Sequence, residues 1–329
     1  MKAVFERWIW VIALLVVYPL VASPFFVYQI GAQSLILGII AASLAFLAGQ
    51  GGMVSLSQMT IAGIAAYMVA IFGDSSVASI SLGWPVWLTV TAALVVSVLA
   101  SVAIGALSIR TDGIRTIMIT LAVGVAFFYL TQQNLAVFNG FQGFSSIETP
   151  WLFDLDLGNP LPFYYLCALV AALVTGVTIY VQKTPFGLAL QGVRDNPRRM
   201  AALGFNVQLH RIAAHAYAGL VAGVGGVLLV YYHHRVSPGT IHAGALINVL
   251  VIAVLGGLRH PIGAFLGSLL FILLQNFAID LVSRDRFNLV IGAVFLFVLM
   301  VSPDGLLGLW GKLRDLGRRD SRVSEAKTA

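Results

Sequence analysis

Five of the 19 basic residues in this 329-residue chain (Lys183, Arg194, Arg198, Arg199 and Arg211) crowd into positions 182–211, where Asp195 alone offsets them. Guanidinium groups gathered on one surface bind carboxylates and other acceptors, a chemistry suited to gripping another protein. A second group, Ser55, Ser57, Gln58 and Asn248, carries uncharged donors and acceptors within apolar sequence. Such side chains either line a path for a polar solute or hydrogen-bond one helix to another. Other chemistry is missing. No G-x-x-x-x-G-K-[ST] run occurs, so the chain has no P-loop for ATP phosphates. Of the 13 Asp and Glu residues only Asp280 lies near an apolar span, at its end, which argues against an ion-coupled carrier and an intramembrane acid pair. His233 and His234 have no neighbouring ligand to complete a metal site, and His215 reads as a bonded core histidine. The single Cys167 makes no intramolecular disulfide. Neither a catalytic constellation nor a metal site is expected.

The elements that must carry these residues follow from composition. The chain is 59% hydrophobic and 10% charged, with a mean hydropathy of +0.94, whereas soluble domains are about 25% charged. Apolar runs near the roughly 17–25 residues that cross a bilayer recur along it. The fold class expected is an all-α polytopic membrane protein of about ten helices, with eight to ten compatible with the pattern. The spans are read at 8–28, 30–48, 53–72, 84–108, 115–133, 161–181, 212–232, 241–258, 262–281 and 287–302. The third, eighth and ninth are rich in Gly and small polar residues and read as broken or re-entrant. Residues 1–310 form one transmembrane domain, with a loop at about 182–211 and a tail at 311–329. Basic residues at 1–7, 109–115, 182–211 and beyond 303 fall on one side, so both termini and the loop are expected in the cytoplasm. On this reading the sequence pI of 9.6 reports topology rather than nucleic-acid binding.

Within the loop the local signals are ordered. Asp195 or Asn196 can cap a short helix whose first residue is Pro197, and Gly204 suits the C′ position that ends it. A charged anchor needs no such design; a docking surface does. Gly219, Gly223 and Gly226 are spaced for close helix approach.

At these residues the sequence resembles a known family. The stretch GLALQGVRDNPRRMAALGFNV (187–207) is similar to the cytoplasmic coupling loop of ATP-binding-cassette (ABC) importer permeases of the branched-chain amino acid class, LivM-type subunit. GQGGMVSLSQMTIAGIAAY (49–67), IRTDGIRTIMITLA (109–122), AGVGG (222–226), VLGGLRHPIGAFLG (254–267) and SPDGLLG (302–308) resemble further family segments in the same order. Pro197 and Met200 depart from the usual Glu and Ala, and His215 stands where the family has Phe.

The resemblance implies one of two permease subunits of an importer in a bacterial inner membrane. Its partners would be a homologous LivH-type permease, two ATP-binding subunits and a soluble substrate-binding protein, with no nucleic acid. The chain would bind no cofactor; ATP and Mg²⁺ belong to the ATPase partners. Gly187, Arg194, Asp195, Asn196, Arg198, Arg199, Leu203 and Gly204 would form the coupling loop, and Ser55, Ser57, Gln58 and Asn248 the translocation path. The solute expected is a branched-chain or related amino acid. The alternatives are a same-fold permease for urea or short amides and an ion-coupled secondary transporter.

Overall fold

The computed structural model describes residues 17–281 apart from 109–110, 112, 153–154 and 259, together with a few positions between 292 and 308. Helix α1 (Phe26–Gly51) is the axis of the molecule, with 89% of its most apolar window buried. Its first seven residues are wound as a π-helix, and there Tyr164 packs so closely that a Cβ on Gly31 would lie 2.8 Å from its ring. α1 stops at Gly52, which is left-handed with φ +66°. After a non-helical segment comes α2 (Gln58–Phe72). The long helices α3 (Val86–Ser108), α4 (Ile114–Gln133) and α5 (Pro160–Lys183) follow, and their most apolar windows are only 28%, 22% and 33% buried. They present large apolar side chains such as Leu99, Met118 and Leu173 outward. Between α4 and α5 lies a two-residue hairpin of β1 (Trp151–Leu152) and β2 (Leu155–Asp156). Then come α6 (Pro185–Asp195), α7 (Pro197–Ala202) and α8 (Val207–His233).

α8 passes against α1, α2 and α3 on a face of small residues. A Cβ on Gly219 or Gly223 would strike Ser101 or Ser97 of α3, and one on Gly226 would overlap the Ala62 carbonyl of α2. These are the glycines whose spacing suggested close approach. His215 lies in this seam, fully buried against Gly105, but neither ring nitrogen has a partner among the described residues. The expectation of a bonded core histidine is therefore corrected.

The last described elements are α9 (Ala243–Gly256) and α10 (Pro261–Leu281), which turn by 116° at their break. α10 runs antiparallel to α1: Ser268 Oγ donates to the Ser34 carbonyl at 2.7 Å, and the rings of Phe277 and Phe26 lie 6.4 Å apart. That register puts Pro261 about level with Ala42, well inside the span of α1.

Among the described residues five helices are long and apolar enough to cross a membrane, or six if the bent α9–α10 pair counts as one. The third, eighth and ninth expected spans became the short or broken elements. α2 and α9, at 15 and 14 residues, rise only about 21–22 Å against a hydrocarbon core of about 30 Å. Most of the tenth span (287–302), the tail and nearly half of the first span lie outside the described residues.

Candidate functional site

The basic loop folds into two helices held end to end by side-chain caps. Thr184 Oγ1 accepts from Gly187 N–H at 3.4 Å to start α6, and Asn196 Oδ1 accepts from Arg199 N–H at 2.9 Å to start α7. Pro197 occupies the first position of α7, where no intrahelical donor is lost. α7 ends in a Schellman pair, with Phe205 N–H bonded to Met200 O at 3.1 Å and Gly204 N–H to Ala201 O at 3.0 Å. Gly204 takes φ +89° there. Met200 lies over Gly192 of α6, so the larger side chain in place of Ala fills a gap between the two helices. His210 sits between the rings of Phe186 and Phe205 and closes the ends of the loop.

The two helices differ in what they face. α6 is amphipathic: Leu190 and Val193 are fully buried, and Leu190 clusters with Phe46 and Leu47 of α1, Met53 just past its end, and Ala214 and Ala218 of α8. Gly187 passes so close to the carbonyl of Val181 that no side chain fits. Arg194 folds back onto Asp195 and the Gly49 carbonyl. α7 has no buried residue. Arg198 and Arg199 are exposed, Leu203 is 67% exposed, and Leu188 and Phe205 add exposed apolar surface beside them. A mixed arginine and apolar face is what protein interfaces favour.

The second candidate group sits at the head of α2. Ser43 Oγ donates to Gln58 Oε1 at 2.9 Å, Ser55 and Ser57 hydroxyls are 2.8 Å apart, and Leu56 N–H donates to Thr120 Oγ1 at 3.0 Å. Ser43 lies eight residues before the end of α1, so α2 begins about 12 Å back up that helix. The connecting segment is non-helical but buried in protein, with Ser55 and Ser57 fully covered, the condition under which irregular backbone survives at membrane depth. Gln58 Nε2 and Thr60 Oγ1 are buried without partners, and the first three amides of α2 have none among the described residues. A helix N-terminus with free N–H groups and an amide donor attracts an anionic group such as a carboxylate. The α9–α10 break lies at about the same depth by the register above. Asn248 stands apart. It is half-buried on α9, about 200° around the helix from Leu246, which packs at Gly124 beside Thr60. Among the described residues no group of three His, Cys, Asp or Glu is placed to hold a metal ion.

Residues 26–299 match the model of the branched-chain amino acid transport system permease component. The chain belongs to this permease family. The permease is similar to the high-affinity branched-chain amino acid permease LivM of Escherichia coli K12, at 24% identity over 91% of this chain and 74% of that protein. It is 28% identical to the nucleoside ABC transporter permease NupC of Lactococcus lactis over 70% of this chain and 74% of that one. To the probable branched-chain amino acid permease LivH of Methanocaldococcus jannaschii it is 31% identical over 45% of this chain, spanning about half (49%) of that relative. No solved structure matches.

Sequence reasoning missed the residues that tie the two groups together. Leu190, Gly49 and Gly52 bring the permease's loop against the end of α1, while Ser43, Thr60 and Thr120 complete the group at the head of α2. The i, i+3 and i, i+4 spacing of Leu190, Val193 and Arg194 on α6 was the available signal for the first set.

Proposed function

We propose that this permease is one of two membrane-spanning subunits of an ATP-driven importer in a bacterial inner membrane. The observation that carries the reading is the division of the loop: α6 is built into the body, while α7 stands outside it with Arg198, Arg199 and Leu203 exposed. On this reading two ATPase subunits, which bind ATP and Mg²⁺, dock on that face and drive rigid-body switching of the permease pair. Arg115 is exposed, and on this reading the basic loops and both termini share the cytoplasmic side, as an excess of Lys and Arg favours. Residues 1–310 form the permease domain and 311–329 a cytoplasmic tail.

The solute path passes the head of α2. Free amides of α2 and Gln58 Nε2 receive the carboxylate of an amino acid brought by a soluble binding protein, and Ser55 and Ser57 line the approach. This is how broken helices serve zwitterions in other transporters. The second permease subunit is a homologue of the LivH type. A second reading, a nucleoside cargo, is favoured by the nucleoside permeases among the relatives. A nucleoside has no carboxylate for α2, so cargo identity separates the two.

Purification in mild detergent from native membranes, followed by mass spectrometry, tests the assignment. A P-loop protein and a second permease should co-purify, and the binding protein should retain an aliphatic amino acid. Recovery of the chain alone, active in proton- or sodium-driven uptake in liposomes, would overturn it. A retained nucleoside, urea or amide would replace the cargo only.

A further inference from the structure

Arg194, at the C-terminal end of α6, reaches back to the end of α1 although its side chain stays 38% exposed. Its Nη1 donates to the carbonyl of Gly49 in the last turn of α1, while Nε and Nη2 hold Asp195 Oδ1 at 2.8 Å. The final carbonyls of a helix lack intrahelical donors and carry the negative end of its dipole. At the end of α1 the backbone serves two of the neighbouring ones, since Gly52 N–H bonds Ala48 O and Met53 N–H bonds Leu47 O. Gly49 O is the one that receives a cation. The fit is close: a Cβ on Gly52 would lie 2.7 Å from Arg194 Cγ. Beneath the arginine, Leu190 fills the space between Phe46, Leu47 and Met53. α6 is thus fastened where α1 stops and the chain turns back towards Ser55, Ser57 and Gln58.

We infer that Arg194 is a positioning residue, not a docking one: it ties the loop to the α1–α2 break, so that displacement of α6 moves the segment at the head of α2. The inference rests on the reading of α6–α7 as the ATPase-docking loop. The connector from Gly52 to Ser57 is only six residues long and its far end is pinned by Leu56 to Thr120 and by Gln58 to Ser43. Pulling the Gly49 end therefore redistributes those bonds.

The test uses Ser57→Cys in the purified chain, where Ser57 and the natural Cys167 are both fully buried, and follows maleimide labelling. Adding Arg194→Ala should speed labelling about tenfold or more, the scale of losing one charge-assisted hydrogen bond. Arg194→Lys, which keeps charge and a donor, should return most of the protection, and Arg198→Ala should change nothing. Arg194→Gln serves if the alanine variant does not fold. In the assembled importer Arg194→Ala should keep its ATPase subunits yet lose most of the stimulation of ATP hydrolysis by loaded binding protein. Unchanged labelling in Arg194→Ala, a lysine variant that behaves like alanine, or loss of the ATPase subunits would each overturn the inference. If the wild-type chain recruits no ATPase, the functional reading fails while the labelling still judges the tie.

Discussion

α6 and α7 are adjacent, similarly capped and drawn from one basic stretch, yet they do opposite things. α6 has a buried apolar edge, Leu190 and Val193, and turns its arginine back onto the end of α1. α7, six residues long, buries nothing. A helix that short is far below the length at which isolated helices hold in water, so α7 persists through Asn196, Pro197, Gly204 and the contact of Met200 with Gly192. The difference teaches that charge density alone does not mark a contact surface. On the proposed reading, what marks it is an ordered short helix whose arginines, with Leu203 after them, stay exposed.

The largest effect expected from breaking this contrast is on assembly. The double reversal Arg198→Glu with Arg199→Glu should reduce recovered ATPase subunits at least about tenfold, whereas exposed substitutions cost the fold itself within about 0.5 kcal/mol. Quantitative co-purification beside a thermal unfolding curve checks both halves. Next in size, Leu190→Ala should destabilise the permease by about 2–5 kcal/mol, because α6 loses the side chain that seats it in a packed core. Leu203→Ala should be nearly silent in the same unfolding assay. Asn196→Ala should cost about 1 kcal/mol through the lost cap, read as faster amide exchange confined to α7. Smallest is Gly204→Ala, where a left-handed residue costs about 1 kcal/mol spread over a helix end already open to solvent. If Gly204→Ala loosens α6 as much as α7, the two helices are one unit and the contrast fails.

Much of this was legible in the residues. A cap at Asp195 or Asn196, the first-turn Pro197 and the Gly204 stop each have a local cause, and the structure gives the cap to Asn196 and keeps the other two in those roles. Ser55, Ser57 and Gln58 also meet, because they are neighbours in sequence around one helix start. What could not be read was depth. Gly-rich apolar runs at 53–72 and 241–281 have the composition of spans, and only the pairing of Ser43 with Gln58 and of Ser34 with Ser268 shows that α2 and α10 begin part-way down α1. The same limit holds for Asn248, which stands apart from the group at the head of α2: apolar neighbours do not say which way a helix faces. Arg194 reads like Arg198 and Arg199 for a related reason, since its acceptor, the Gly49 carbonyl, is 145 residues away and a backbone oxygen leaves no trace in sequence.

The central claim is that α7 is where the permease receives its power. A photo-crosslinking amino acid placed at Leu203 in native membranes tests it most directly, with the same probe at Leu190 as the buried control. An adduct with a protein whose peptides include a P-loop is expected at Leu203, and none at Leu190. An adduct with the solute-binding protein would put the loop on the opposite side of the membrane and contradict the account, as would the absence of any protein adduct.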